Sequence, residues 1–288
     1  GKPAGFAEAS TDVDALLAHP SINTVAIVTR HNSHASLVAR ALAAGKHVFV
    51  EKPLCLTLDE LAEIERVCGV VNSPTPTLPR EGGGSPMLMV GFNRRFAPQI
   101  QKMKALLASV AEPKSFIMTM NAGAIPPDHW TQDLAVGGGR IIGEACHFID
   151  LMRFLAGSPI VSLQARRMGD APGVAVTEDK AAFILGFADG SFGTIHYLAN
   201  GAASFPKERI EVFTAGRVLQ LDNFRKLKGY GWPGFKRMNL WRQDKGQKAC
   251  AAAFLDAIAK GRDTPIPPAE IFEVARVTIQ AAEQLRGQ

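Results

Sequence analysis

The stretch Thr24–Pro53, TVAIVTRHNSHASLVARALAAGKHVFVEKP, leaves few folds open to the chain. Val25 to Val28 form a short apolar run rich in β-branched residues, the pattern of a parallel strand covered on both faces. From His34 to Ala44 the apolar positions (Ala35, Val38, Ala39, Leu42) take helical spacing, with Asn32-Ser33 as the cap and Gly45 as a left-handed stop. His47 to Val50 is a second strand. Strand, helix and parallel strand make a right-handed crossover, so Thr29–Asn32 and Glu51–Pro53 both fall at the carboxyl edge of one sheet. Open α/β folds bind ligands at that edge.

The flanking sequence continues this rhythm. Val13–Ala18 is a short helix behind a Ser10-Thr11-Asp12 cap, and Thr57 opens a further amphipathic helix that ends near Val70. Asn72 to Pro86, NSPTPTLPREGGGSP, is too rich in proline and glycine to join a core and reads as an exposed, flexible insertion. Leu88 to Phe92 is the next strand, followed by a helix from Pro98 to Ser109. Beyond Phe96 strands dominate: Lys114–Asn121, Ile160–Met168, Asp179–Ala188, Ser191–Leu198, Arg209–Ala215 and Arg217–Leu221, with hairpin turns at Asp189-Gly190 and Ala215-Gly216. With helices at Ile141–Leu155, Lys248–Lys260 and Pro268–Arg286, this predicts an incomplete Rossmann-type parallel sheet followed by an α+β domain with a largely antiparallel open sheet. The open face of that second sheet is a natural dimer interface.

Composition excludes several classes. The net charge is +5, but its only concentration, Arg225 to Arg242, is interleaved with Gly, Trp and Phe and reads as a basic loop region, not a nucleic-acid motif. Four scattered cysteines, Cys55, Cys68, Cys146 and Cys250, form neither a disulfide framework nor a zinc site, which fits reduced, cytoplasmic thiols. No apolar run approaches the ~18 residues that would cross a bilayer.

A second chemically loaded region lies at Asn121–Asp150. There Gly137-Gly138-Gly139 leads into a helix carrying Glu144, His147 and Asp150 at successive i, i+3 positions. Such spacing lets a carboxylate orient an imidazole, the form a general base takes, although a core helix with a satisfied histidine has the same pattern. Nothing resembling a G-x-G-x-x-G turn precedes Val25, so either that segment lies elsewhere or a dinucleotide is not held in the usual way.

Glu51-Lys52-Pro53 after GKHVFV, then VGFNRRFAP, NAGAIPPDHW and GGGRIIGEACHFIDL, together resemble the Gfo/Idh/MocA family of NAD(P)-dependent oxidoreductases. They are most similar to the C-terminal half of two-part members joined to a zinc-alcohol-dehydrogenase-like region, which makes this an N-terminally truncated relative. The resemblance implies residues 1–95 as a partial dinucleotide-binding domain and 96–288 as a substrate and oligomerisation domain that pairs into dimers or tetramers. It implies hydride transfer between NAD or NADP and a carbinol carbon of a sugar, cyclitol or similar polyol, without a metal. Carried over, Lys52 and His147 are catalytic, Thr29, Arg30, Asn32 and Glu51 border the nicotinamide ribose, and Arg94, Asn121, His129 and Trp130 contact substrate. Arg95 reads as an ion-pairing residue. Where many relatives have Asp four residues before the histidine this chain has Gly143, and Glu144 stands next to it. The alternative is a non-catalytic module that keeps a sugar pocket or an oligomer interface without cofactor.

Overall fold

The computed structural model describes Gly5, residues 8–71 and residues 86–288. The predicted insertion lies outside these residues except for Pro86. In chain order the first part holds α1 (Val13–Ala18), β1 (Thr24–Ile27), α2 (His34–Ala43), β2 (His47–Val50), α3 (Leu58–Val71) and β3 (Leu88–Val90). β1, β2 and β3 are parallel and adjacent in that order, with Val25 opposite Val48 and Phe49 opposite Met89. Gly45 takes φ +70°, which lets the chain turn sharply from α2 into β2. α3 opens with a reciprocal box: the Glu60 amide donates to Thr57 Oγ1 at 3.1 Å, and the Leu56 amide donates to Glu60 Oε2 at 2.7 Å.

Two local expectations are corrected. Ser33 precedes α2 but does not cap it; its hydroxyl donates to the Arg30 carbonyl at 2.9 Å, because a 3-10 turn at His31–Ser33 leads into the helix. β1 is not covered on both faces. It is the outer strand, Ala26 is exposed, and Val28 lies beyond the strand at 70% exposure. On that face Phe254 of α6 (Gln247–Ala259) meets Phe49 on β2 with ring centroids 5.8 Å apart, whereas Ala26, the partner of Phe49 on β1, remains open.

After a 3-10 turn at Asn93–Phe96 come α4 (Pro98–Leu107) and β4 (Ser115–Asn121). A π-helical turn, Ile141–Ala145, then runs into α5 (Cys146–Ala156). β5 (Ile160–Arg167), β6 (Lys180–Phe187), β7 (Phe192–Leu198), β8 (Glu208–Thr214), β9 (Arg217–Asp222), β10 (Lys226–Tyr230) and β11 (Arg237–Asn239) follow, before α6 and α7 (Pro268–Arg286). They build an eight-stranded sheet in the order β11-β10-β9-β8-β4-β7-β6-β5, antiparallel except for the β4–β7 pair. The basic region predicted as a loop is therefore partly strand: Leu227 is buried between exposed Lys226 and Lys228, a period-two pattern that pairs β10 to β9 and extends the sheet.

One face of this sheet carries α5, whose Phe148, Ile149, Leu151 and Met152 are fully buried. α7 packs against α5 and β5 and also reaches α3 and β3, tying the two sheets together. Among the described residues no helix is long and apolar enough to cross a membrane.

Candidate active site

The carboxyl edge of the parallel sheet meets the entry of α5. Lys52, two residues past β2, donates from Nζ to the carbonyl oxygen of Gly143 at 2.7 Å, one helical turn before His147. The Lys52-Pro53 peptide is cis. His34 ties the two strand ends together, its ring nitrogens lying 2.7 Å from the Pro53 carbonyl oxygen and 3.1 Å from that of Thr29. Glu51 rests against Gly91 at the end of β3, where a Cβ would stand 3.0 Å from its carboxylate oxygen. Thr29, Arg30 and Asn32 lie exposed on the same edge. Thr29 Oγ1 is 2.7 Å from Ser33 Oγ, and the Arg30 guanidinium lies 5.8 Å from the Trp130 ring centroid.

His147 is 5% exposed, and its Nδ1 is buried without a hydrogen-bond partner among the described residues. Burial holds the imidazole well below its ordinary pKa, and the charges of Arg94, Lys52 and Lys245 push it further down. It is therefore a neutral base in a cationic setting.

The two carboxylates expected to orient His147 are engaged elsewhere. Asp150, fully buried, accepts from Arg95 Nε at 2.8 and 3.0 Å, and Arg95 also pairs with Glu270. Burial pushes the Asp150 carboxyl up to about 6, although Arg95 pulls in the opposite direction. Glu144 accepts from Arg140 at 2.9 Å and from the hydroxyl of Tyr197 on β7, and Lys207 lies 3.6 Å away. Burial works against the Glu144 carboxylate, but these donors outweigh it and hold it below the usual carboxylate range. Glu144 stands in the π-helical turn and Asp150 in α5, and donors from other segments hold each carboxylate.

The substrate candidates divide similarly. Arg94 is buried and donates to Glu208 Oε1 at 2.8 Å, stacked 5.3 Å from the Phe148 ring. Asn121 holds the loop after β7, its amide donating to the carbonyls of Ala202 at 2.8 Å and Phe205 at 3.2 Å. His129 is exposed and bonded to Thr131 Oγ1 at 2.8 Å. Trp130 stands edge-on to His31, with centroids 4.8 Å apart.

His31 was not among the sequence candidates. Its Nδ1 lies 2.8 Å from the Gly137 carbonyl oxygen, and its Cε1 is 2.9 Å from where a Cβ at Gly143 would stand. The imidazole thus fills the space above the side-chain-less Gly143. Burial lowers its pKa to about 4, with the Gly137 carbonyl opposing and Lys52 adding to the shift. The spacing of TRHNSHA contained the signal, since His31 stands at the same sheet edge as Thr29 and Asn32. Glu208, Lys245 and Tyr197 had none, because their partners lie 37 to 114 residues away.

The one stretch with glycine-rich dinucleotide spacing, Gly229-Tyr230-Gly231-Trp232-Pro233-Gly234, joins β10 to β11 and opens no helix, so it offers no helix N-terminus to a pyrophosphate.

Fold and site together define a nucleotide-binding α/β unit coupled to an open-sheet unit, with a lysine from the first beside a buried histidine from the second. Residues 4–70 match the model of an oxidoreductase family with an NAD-binding Rossmann fold, Gfo/Idh/MocA, and residues 100–218 match that of the Gfo/Idh/MocA C-terminal domain. The chain belongs to the Gfo/Idh/MocA oxidoreductase family. It is 27% identical over 227 residues to myo-inositol 2-dehydrogenase of Thermotoga maritima, covering 77% of this chain and 63% of that protein. It is 28% identical over 263 residues to inositol 2-dehydrogenase of Rhizobium meliloti, covering 87% and 74%. Among solved structures, levoglucosan dehydrogenase in complex with NADH and levoglucosan superposes with a TM-score of 0.81 at 22% identity, over 99% of this chain and 84% of that one, a likeness of fold.

Proposed function

We propose that the chain works as an NAD(P)-dependent dehydrogenase of a sugar, cyclitol or similar polyol, with His147 as acid/base and Lys52 as its partner. The observation that carries this reading is the meeting of Lys52 and the π-helical turn ahead of α5 through the 2.7 Å bond to Gly143, beside a neutral, buried imidazole whose Nδ1 lacks a partner among the described residues. Oxidation of a carbinol removes a proton from oxygen and a hydride from carbon; NAD or NADP, when bound, takes the hydride. A substrate hydroxyl at His147 would meet the other ring nitrogen, Nε2, and surrender its proton there. Lys52 holds positive charge near the oxygen and stabilises the developing alkoxide. Arg94 acts one step back, through Glu208.

The residues fit the nicotinamide half of the cofactor: Thr29, Arg30 and Asn32 are exposed at the sheet edge, with Glu51 at the end of the neighbouring strand. For the pyrophosphate half we propose a glycine-rich strand-turn-helix supplied by further polypeptide, in line with the motif similarity to two-part oxidoreductases. We take residues 1–95 as the cofactor unit and 96–288 as the substrate and oligomerisation unit. The outer face of the large sheet supports self-association, since Phe192, Phe213 and Tyr230 are half exposed in one cross-strand row. A cytoplasmic setting is part of the same reading, supported by four free thiols.

Fluorescence titration with NADH and NADPH tests the proposal. Wild-type chain should bind one of them at micromolar to sub-millimolar concentration, and His147→Ala should bind it equally while losing about 10²- to 10⁴-fold in polyol turnover. Undiminished turnover in His147→Ala would remove the histidine from the chemistry. The rival reading is a non-catalytic module that keeps a sugar pocket or an oligomer interface without cofactor. Failure to bind either nucleotide at millimolar concentration would select it.

A further inference from the structure

The charges around His147 do not balance. Arg94 and Lys245 share a single oxygen of buried Glu208, at 2.8 and 3.0 Å. Glu144 is set between Arg140 at 2.9 Å and Lys207 at 3.6 Å. Among the described residues Lys52 reaches only a backbone carbonyl. Arg140 also lies 4.0 Å from Asp179, so these five cations share two carboxylates and part of a third.

The other nearby carboxylates are committed: Asp150 to Arg95, and Asp179 to Lys180 at 2.5 Å. Three buried polar atoms in the same cluster, Arg94 Nε, His147 Nδ1 and Glu208 Oε2, have no partner among the described residues; Arg94 Nε can only donate and Glu208 Oε2 only accept. Buried cations in excess of their counter-charges are costly unless an anion arrives with the ligand. The surplus lies on the large-sheet side: Lys207 just before β8, Lys245 just before α6, and Arg140 at the entry to α5. The exposed edge Thr29–Asn32, where the cofactor would stand, belongs to the other sheet. The amines remain within reach of a ligand, with the Lys245 side chain 17% exposed and that of Lys207 48%.

We infer that the preferred substrate is an anionic sugar or polyol, carrying a carboxylate or phosphate that Lys245 and Lys207 receive while its carbinol faces His147. This rests on the dehydrogenase reading and narrows its substrate class. Neutral polyols would leave the cationic cluster without its counter-ion.

The test is calorimetric titration of the full chain, with and without saturating NADH, using matched neutral hexoses, hexuronates and hexose 6-phosphates in the gluco, galacto and manno series. At least one charged probe should bind about tenfold or more tighter than its neutral counterpart, the value of a charge-assisted hydrogen bond. That advantage should shrink as salt rises from about 0.05 to about 0.5 M. Lys245→Gln should reduce it, and so should Lys207→Gln, whose half-exposed site makes it the safer variant for folding. Lys228→Gln, on the outer sheet face, should not. A stronger uronate identifies the group as carboxylate, and a stronger sugar phosphate as phosphate; both support the inference. Neutral hexoses binding as tightly as both charged sets would overturn it while leaving the dehydrogenase reading intact. Binding of no probe at all would overturn both.

Discussion

Asp150→Asn separates two roles for the carboxylate that lies one helical turn beyond His147. Asp150 is 0% exposed and accepts both bonds from Arg95 Nε, and the Arg95 side chain is itself only 4% exposed. Burial works against the Arg95 charge, and Asp150 and Glu270 outweigh it, raising its pKa above the ordinary value. Asparagine keeps the shape but removes the counter-charge and can turn an amide donor toward the guanidinium. Breaking one side of a buried pair costs about 3–5 kcal/mol, a large part of the 5–15 kcal/mol that typically holds a domain together. Urea unfolding at pH 7.5, where the Asp150 carboxyl (about 6) is ionised, should show a lower midpoint at unchanged slope. Replacing both partners, Arg95→Leu with Asp150→Leu, should recover most of the loss. A single variant losing less than about 1 kcal/mol would refute the ion-pair reasoning. A changed pH profile of turnover at wild-type stability would restore Asp150 as the group that orients His147.

Two further outcomes follow from the site. His31 has a folded pKa of about 4 against an ordinary value of 6.5, so the stability it contributes is present above pH 6.5 and is lost as pH falls from 6.5 to 4. At about 1.4 kcal/mol per pH unit, discounted for the part of the ring that water reaches, the loss is about 2 kcal/mol; unfolding curves at pH 7 and 4.5 should show it, and His31→Gln should flatten the difference without abolishing it, because His147 shifts in the same direction. In Gly137→Ala the new Cβ would stand 2.5 Å from the Trp130 carbonyl oxygen, so the backbone must move and the anchor for His31 with it; a loss of about 2–3 kcal/mol in thermal or urea unfolding is expected, and wild-type stability would show that the loop has slack.

Local chemistry determined much of this protein. The strand-helix-strand period, the Thr57/Glu60 box, the left-handed Gly45 and the turn at Ala215-Gly216, where φ is +47° and +68°, are properties of a few neighbouring residues, and the structure contains each. The ends of the first two strands, Thr29–Asn32 and Glu51–Pro53, likewise pointed to one edge of one sheet. Tertiary structure decided the partners. Helical spacing predicted Glu144 beside His147, but Glu144 is taken by Arg140 and by Tyr197 from a strand 53 residues away. Arg94 was legible as a charge beside the site, but not its burial against Glu208, 114 residues on. β10 escaped notice because lysines alternate along it, and only pairing with β9 makes that alternation a strand. Periodicity along the chain reports which face of an element is buried; which donor meets a buried carboxylate is settled by competition among all the segments that fold around it, and no single segment carries that information.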